Sequence, residues 1–296
     1  MSIRPKVTVI SSKMLKGRHA CTLWDVRGED PDEELASKNW RDRNRGGPVR
    51  NQSDHDNCWI YASTDVYSSY RFINGEDDHF RVLSAKYLTF YVSEDERQIT
   101  TLSENRRMDH MCHGFPVIKG LEFIQDNGVP EEERPSDATD GYMSCISSPP
   151  KRVQPVFKFG KDVKFCESSK IEALYAMLLH QPVAANMILY HPEYFRRYPY
   201  RPTSEESWYD GLHSVLVLQV VKVQGKWVAL VKLSHGEGAG AGGYMYISLT
   251  KMILDVEYIT DDEAMGLILD DEEKPVARPS LLLRDFTGVD YGANQN

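Results

Sequence analysis

Nowhere in the 296-residue chain do about 18 apolar residues run together, so no membrane-spanning helix is expected. The first ten residues, Met1-Ser2-Ile3-Arg4-Pro5-Lys6-Val7-Thr8-Val9-Ile10, lack the continuous apolar core of a secretory signal. Cysteine is scarce: Cys21, Cys58, Cys112, Cys145 and Cys166 are widely spaced, odd in number, and contain no Cys-x-x-Cys pair. A disulfide framework and a structural zinc site are both disfavoured by that pattern, and free thiols in the cytoplasm are the expectation. Long basic runs are missing too; the nearest is Arg41-Asp42-Arg43-Asn44-Arg45, in a chain of net charge −9. Nothing in that distribution forms a phosphate-binding stripe, which argues against nucleic acid as a partner.

What is present is an ordinary globular composition, 41% hydrophobic, enough for one large domain or two lobes that share a cleft. Trp59, Ala62, Val66, Tyr70 and Ile73 recur at three- and four-residue steps and stop at Asn74-Gly75, which predicts a helix with Cys58 at its start. Further helices are predicted over Ser84 to Val92 and Val117 to Gln125, the second closed by Asn127-Gly128. After the turn-rich stretch 131–155 the pattern changes. One helix is expected from a capping box at Ser169-Lys170-Ile171-Glu172, and apolar strands over 183–190, 213–223, 226–234 and 243–248. Val223-Gln224-Gly225-Lys226 reads as a hairpin turn. Helices first and antiparallel strands second make an α+β fold.

A cysteine among apolar residues is most often a small core hydrophobe. At a helix start, however, unpaired N–H groups and the helix dipole favour a thiolate, the nucleophilic form of the side chain. The company Cys58 keeps is more specific. Gln52-Ser53-Asp54-His55-Asp56-Asn57-Cys58-Trp59 resembles the active-site segment of the papain and cathepsin type of cysteine peptidase, including the six-residue step from glutamine to cysteine. Leu83-Ser84 with Leu88 resembles that family's next helix start, and Cys112-His113-Gly114-Phe115-Pro116 its Cys-Asn-Gly-Gly segment beside the substrate cleft. Gly211-Leu212-His213-Ser214-Val215 resembles the segment with the catalytic histidine, and Lys232-Leu233-Ser234-His235-Gly236 the Lys-Asn-Ser-Trp-Gly segment.

The resemblance implies a two-lobe fold with a helical left lobe, an antiparallel β-barrel-like right lobe and a cleft between them. The corresponding spans are a peptidase domain over 48–250, with lobes 48–145 and 150–250, an N-terminal extension 1–47 and an acidic C-terminal extension 251–296. It also implies catalysis by Cys58 as nucleophile and His213 as base, with Gln52 in the oxyanion hole, and a substrate cleft bordered by Phe115, Pro116, Leu212, Ser214 and His235. Peptides or proteins would be the substrates, and no cofactor is implied. His55, Cys58, His213 and His235 match no recognised zinc spacing, so no metal is expected either.

Two positions depart from the family pattern. Leu233 stands where the family has the asparagine that orients the catalytic imidazole, and His235 where it has a shielding tryptophan. Ser234, His235 or a water is a candidate to orient His213 instead. These departures leave two functions open: a peptidase of impaired activity, or a non-catalytic relative that binds peptides or a protein partner.

Overall fold

The computed structural model describes residues 30–53, 55–97, 114–133, 150, 156–191, 199–201, 208–250, 252–253, 267–269, 275–277 and 279–291. Five helices are present among them: α1 (Glu33–Ser37), α2 (Cys58–Ile73), α3 (Ala85–Arg97), α4 (Val117–Asp126) and α5 (Ile171–Leu178). The strands are β1 (Val129–Pro130), β2 (Val156–Phe157), β3 (Phe165–Ser168), β4 (Val183–His191), β5 (Trp208–Val223), β6 (Lys226–Lys232), β7 (Tyr244–Ser248), β8 (Met252–Ile253), β9 (Leu267–Leu269), β10 (Pro275–Ala277), β11 (Pro279–Ser280) and β12 (Leu283–Val289). The fold is α+β, as expected.

Helix α2 is the central element. Every residue from Trp59 to Ser69 is buried, far more than the one stripe of a surface helix. Its small polar residues tolerate this because their hydroxyls turn back on the helix: Ser63 Oγ donates to the Trp59 carbonyl and Thr64 Oγ1 to the Ile60 carbonyl, at 2.7 and 2.8 Å. Gly120 of α4 sits against Ser63 and Trp59 so closely that a Cβ there would collide with the Ser63 side chain. The glycine therefore sets how near α4 approaches α2. Both helices end as their sequences foretell, at Asn74-Gly75 and Asn127-Gly128, with positive φ at each glycine.

The second lobe is a six-stranded antiparallel sheet in the order β3-β12-β4-β5-β6-β7. The β5–β6 hairpin turns through Gln224 and Gly225 at φ of 50° and 77°, the paired positive values of a type I′ turn. Three expectations need amending. Among the described residues β3 and β7 are edges that do not pair with each other, so the sheet is open and not a closed barrel. Residues 283–289 form β12 in the interior of that sheet, between β3 and β4, so the sheet lobe draws on chain beyond residue 250, where an extension was expected. The capping box of α5 does not form: Ser169 Oγ donates to Asp285 Oδ1 at 2.8 Å, and Lys170 is the N-cap without a side-chain bond.

The chain before residue 48 also belongs to the body of the fold from about its described start. Leu35 and Trp40 are buried, and Trp40 donates from its backbone N–H to the Leu218 carbonyl and from Nε1 to the Leu178 carbonyl. One continuous apolar core runs through both lobes, with α2 packed on β4 and β5.

At the centre of this packing lies a buried charge cluster. Asp65 of α2 accepts from Lys232 Nζ of β6 at 2.8 Å and lies 3.5 Å from Arg50 Nη1. Arg50 also donates to Thr64 Oγ1 and the Leu83 carbonyl, and Lys232 to the carbonyls of Gly46 and Pro48. All three charged side chains are less than 6% exposed. Burial pushes the Lys232 ammonium below its ordinary range, and Asp65 opposes that shift. Two cations thus share one carboxylate, which makes the members unequal. Asp65→Asn leaves two buried cations without a counter-charge and is expected to cost about 3–5 kcal/mol. Lys232→Met keeps the neutral Arg50–Asp65 pair and is expected to cost markedly less. Urea denaturation of the two variants checks the order.

Candidate active site

The segment leading into α2 is held by the opposite lobe. Gln52 N donates to the Ser234 carbonyl at 2.6 Å, Gly236 N to the Arg50 carbonyl at 2.9 Å, and Asn51 forms a β-bridge with His235. Residues 50–52 therefore run antiparallel to 234–236, although they are far apart in sequence. This pairing brings Gln52, Ser234 and His235 to the start of α2.

Cys58 is the first residue of α2 and is partly exposed. Asn57, the N-cap, makes no side-chain cap bond; its Nδ2 donates instead to Thr89 Oγ1 at 3.1 Å. The terminal N–H groups are then not spent on a capping side chain, and the Trp59 N–H bears on the Cys58 sulfur. A second donor comes from the sheet: Ser214 N–H donates to Cys58 Sγ at 3.3 Å. That bond presses the His213–Ser214 peptide of β5 against the thiol.

His213 is 3% exposed, and its ring stacks on His235 at 4.5 Å between centroids, with 18° between planes. Burial, with a smaller push from His235, lowers the His213 pKa to about 3. Burial likewise raises the Cys58 thiol; the Ser214 and Trp59 donors pull it down, and Asp56 pushes it up. Both effects favour the uncharged forms, a thiol at Cys58 and a neutral imidazole at His213.

Gln52 is 4% exposed and held at both ends of its amide. Ser234 Oγ donates to Oε1 and Nε2 donates to the His55 carbonyl, each at 2.5 Å. An amide NH2 carries two protons, and the His55 carbonyl accounts for one of them. The amide plane is locked with its second proton directed away from His55. Ser234 spends its single proton on Gln52, so toward the His213 ring it could act only as an acceptor.

Leu233 is 2% exposed and lines a small pocket together with Tyr61, Ala62, Ser214 and Val215. It contributes apolar packing where the family places a hydrogen-bonding amide. Contact with the imidazole is made by His235, through ring faces. Phe115 meets Trp59 edge-on at 5.3 Å, beside Cys58, and Pro116 is the N-cap of α4. Leu212, 43% exposed, is the sole exposed large hydrophobe among the described residues. Cys112 lies outside the described residues. Cys58 and Cys166 form no disulfide.

Two residues that sequence reasoning missed adjoin this site. Asn186 of β4 pairs directly with Ser214 and accepts from its hydroxyl at 2.8 Å, and Asp285 of β12 accepts from Asn186 Nδ2 at 3.1 Å. A signal for Asn186 exists, one polar amide inside the apolar run Val183-Ala184-Ala185-Asn186-Met187-Ile188. No comparable signal marks Asp285. Among the described residues no three His, Cys, Asp or Glu side chains converge to hold a metal ion, and no helix is long and apolar enough to cross a membrane.

Residues 35–260 match the model of the papain family of cysteine proteases. The chain belongs to that family. It is similar to the protein HEAT-INDUCED TAS1 TARGET 1 of Arabidopsis thaliana, 23% identical over 264 residues, covering 79% of this chain and 88% of the relative. It is 27% identical to pro-cathepsin H of Bos taurus over 226 residues, 73% of this chain and 60% of the relative. A crystal structure of the Amb a 11 cysteine protease, a major ragweed pollen allergen, in its proform, aligns with a TM-score of 0.49 and 15% identity, over 86% of this chain and 72% of that one.

The depressed His213 pKa has a consequence for stability. An unfolded histidine titrates near 6.5 and this one at about 3, so between those values the unfolded state holds one more proton. Stability contributed by the neutral ring is present above the unfolded value and is lost as pH falls toward the folded one. Relative to His213→Gln, the native protein is expected to lose up to about 1.4 kcal/mol more per pH unit across that window. Urea denaturation at a series of pH values measures the difference.

Proposed function

We propose that this chain is a cysteine peptidase of low turnover acting on peptide or protein substrates, with Cys58 as nucleophile, His213 as base and Gln52 in the oxyanion hole. The observation that carries it is the 3.3 Å bond from the Ser214 N–H to Cys58 Sγ, which sets the histidine-bearing peptide against the sulfur. In this reading the Cys58 proton passes to His213 as sulfur attacks the scissile carbonyl carbon. The oxyanion accepts from the Cys58 backbone N–H and from the second Gln52 amide proton. His213 then protonates the leaving amine, and water releases the acyl group as a free acid.

Low turnover follows from two features. The resting pair is neutral, so the thiolate forms during the attack instead of standing ready. And no amide at Leu233 is available to stabilise the imidazolium that appears in that step. A hydrogen bond to a charged group is worth about 1.5–3 kcal/mol, or roughly 10- to 100-fold in rate. The setting proposed is the cytoplasm, with Cys58 and Cys166 as free thiols.

The second reading, a non-catalytic module that binds a peptide or protein partner, is favoured specifically by Leu233, buried where an orienting side chain is needed. A peptidyl epoxide or vinyl sulfone separates the two. The peptidase reading expects labelling from about pH 5 to 8 that Cys58→Ala abolishes. Absence of Cys58-dependent labelling and of peptide turnover sinks it. Leu233→Asn is expected to raise kcat/KM about 10- to 100-fold, with the thermal midpoint recorded alongside because the position is buried.

A further inference from the structure

Ser214 has more to do with the sulfur than its backbone alone. Its N–H donates to Cys58 Sγ at 3.3 Å, and its hydroxyl bears on the same atom while donating to Asn186 Oδ1 at 2.8 Å. The chain continues outward. Asn186 Nδ2 donates to Asp285 Oδ2 at 3.1 Å, and Ser169 Oγ donates to Asp285 Oδ1 at 2.8 Å. An ionised carboxylate only accepts, so Asp285 fixes which end of the Asn186 amide faces it and leaves Oδ1 toward Ser214. Ser214 and Asn186 are direct cross-strand partners of β5 and β4, and Arg284 next to Asp285 is the β12 partner of Asn186. The β12 register slips between Arg284 and Thr287, and Asp285 adopts a φ of 53° there, a conformation that Thr287 Oγ1 supports by donating to the Asp285 carbonyl at 3.0 Å.

We infer that Ser214 is a further catalytic residue, which stabilises the Cys58 thiolate with both its N–H and its O–H, and that Asn186 and Asp285 are positioning residues that hold that hydroxyl. The inference rests on Cys58 being the nucleophile of the proposed function. A hydroxyl has one proton and two lone pairs. Beside the neutral thiol its proton is committed to Asn186 Oδ1. Once the thiol proton has moved to His213, the sulfur becomes an acceptor, and rotation about the Ser214 Cβ–Oγ bond redirects the hydroxyl proton onto it. Asn186 stays in place during that change because its Nδ2 remains on Asp285. No atom is gained or lost; one proton moves from Sγ to the imidazole and one hydrogen bond changes its acceptor. The titratable and charged groups around the path are Asp56 near the sulfur, His213 next to Ser214 in the chain with His235 stacked on it, and Arg284 and Glu167 near Asp285. Arg284 Nε donates to the Asp285 carboxylate at 3.2 Å.

The test is the rate of iodoacetamide alkylation of Cys58 in the full chain, read by mass spectrometry from about pH 5 to pH 10. Ser214→Ala keeps the N–H and removes only the hydroxyl. Its profile is expected to shift upward by about one pH unit, with roughly tenfold slower alkylation at neutral pH. Ser214→Thr restores the native profile, and Asn186→Ala shifts it in the same direction as Ser214→Ala by a smaller amount. A purely structural role for Ser214 would lower the thermal midpoint and leave the profile where it was. Superimposable profiles for native, Ser214→Ala and Asn186→Ala proteins overturn the inference; should Ser214→Ala not fold, Asn186→Ala alone decides. Peptide turnover measured in parallel separates the two readings. Unshifted profiles with Cys58-dependent turnover overturn this inference and leave the peptidase standing, whereas shifted profiles with no turnover keep the thiolate-stabilising role and overturn the peptidase.

Discussion

Asp65 and the two cations it shares decide where everything in the site stands. Arg50 lies two residues before Gln52, Asp65 about two helical turns beyond Cys58, and Lys232 immediately before Leu233. One carboxylate thus ties together the incoming loop, the helix with the thiol and the strand that delivers residues 233–235. Removing charges from water is unfavourable, and such a cluster persists only where geometry and extra hydrogen bonds offset the loss. Here the carbonyls of Gly46, Pro48 and Leu83 and the Thr64 hydroxyl supply those bonds. Gly46 and Pro48 belong to the loop that leads into the site, so satisfying Lys232 also fixes that loop's path.

The same burial that makes the frame rigid sets the chemistry of the site. His213 and Cys58 sit where charge is poorly solvated, and both are driven toward their neutral forms. A hydrogen-bonding amide on the imidazole would oppose that drive, but Leu233 adds apolar packing instead. Stabilisation of the thiolate then depends on donors that reach the sulfur itself, the N–H groups of Trp59 and Ser214 and the Ser214 hydroxyl. The imidazole stacks on the His235 ring, which restricts its tilt and adds a small push toward the neutral form.

Local pattern carried much of the fold. The three- and four-residue spacing from Trp59 to Ile73 is that of a helix, and the apolar runs at 183, 213 and 226 became the central strands because each lies between Gly, Pro or Asn punctuation. Where pattern misled, a long-range partner was the cause. Ser169 reads as a helix cap until Asp285, distant in sequence, takes its hydroxyl. The chain after residue 250 reads as an acidic tail because its charged stretches mask one seven-residue strand that fills the place between β3 and β4.

By itself the sequence determined the candidate residues and their order: glutamine before cysteine, histidine on a later strand, leucine where an amide is expected. Those are properties of type and spacing, and they survive without coordinates. Only the tertiary structure decided what each side chain is bonded to. That Ser234 donates to Gln52, that His235 stacks on His213, and that Asn186 and Asp285 reach the thiol through Ser214 all depend on contacts between strands far apart in the chain. Hydrogen bonds are short-ranged and directional, so a partner becomes legible only once the fold has set distance and angle.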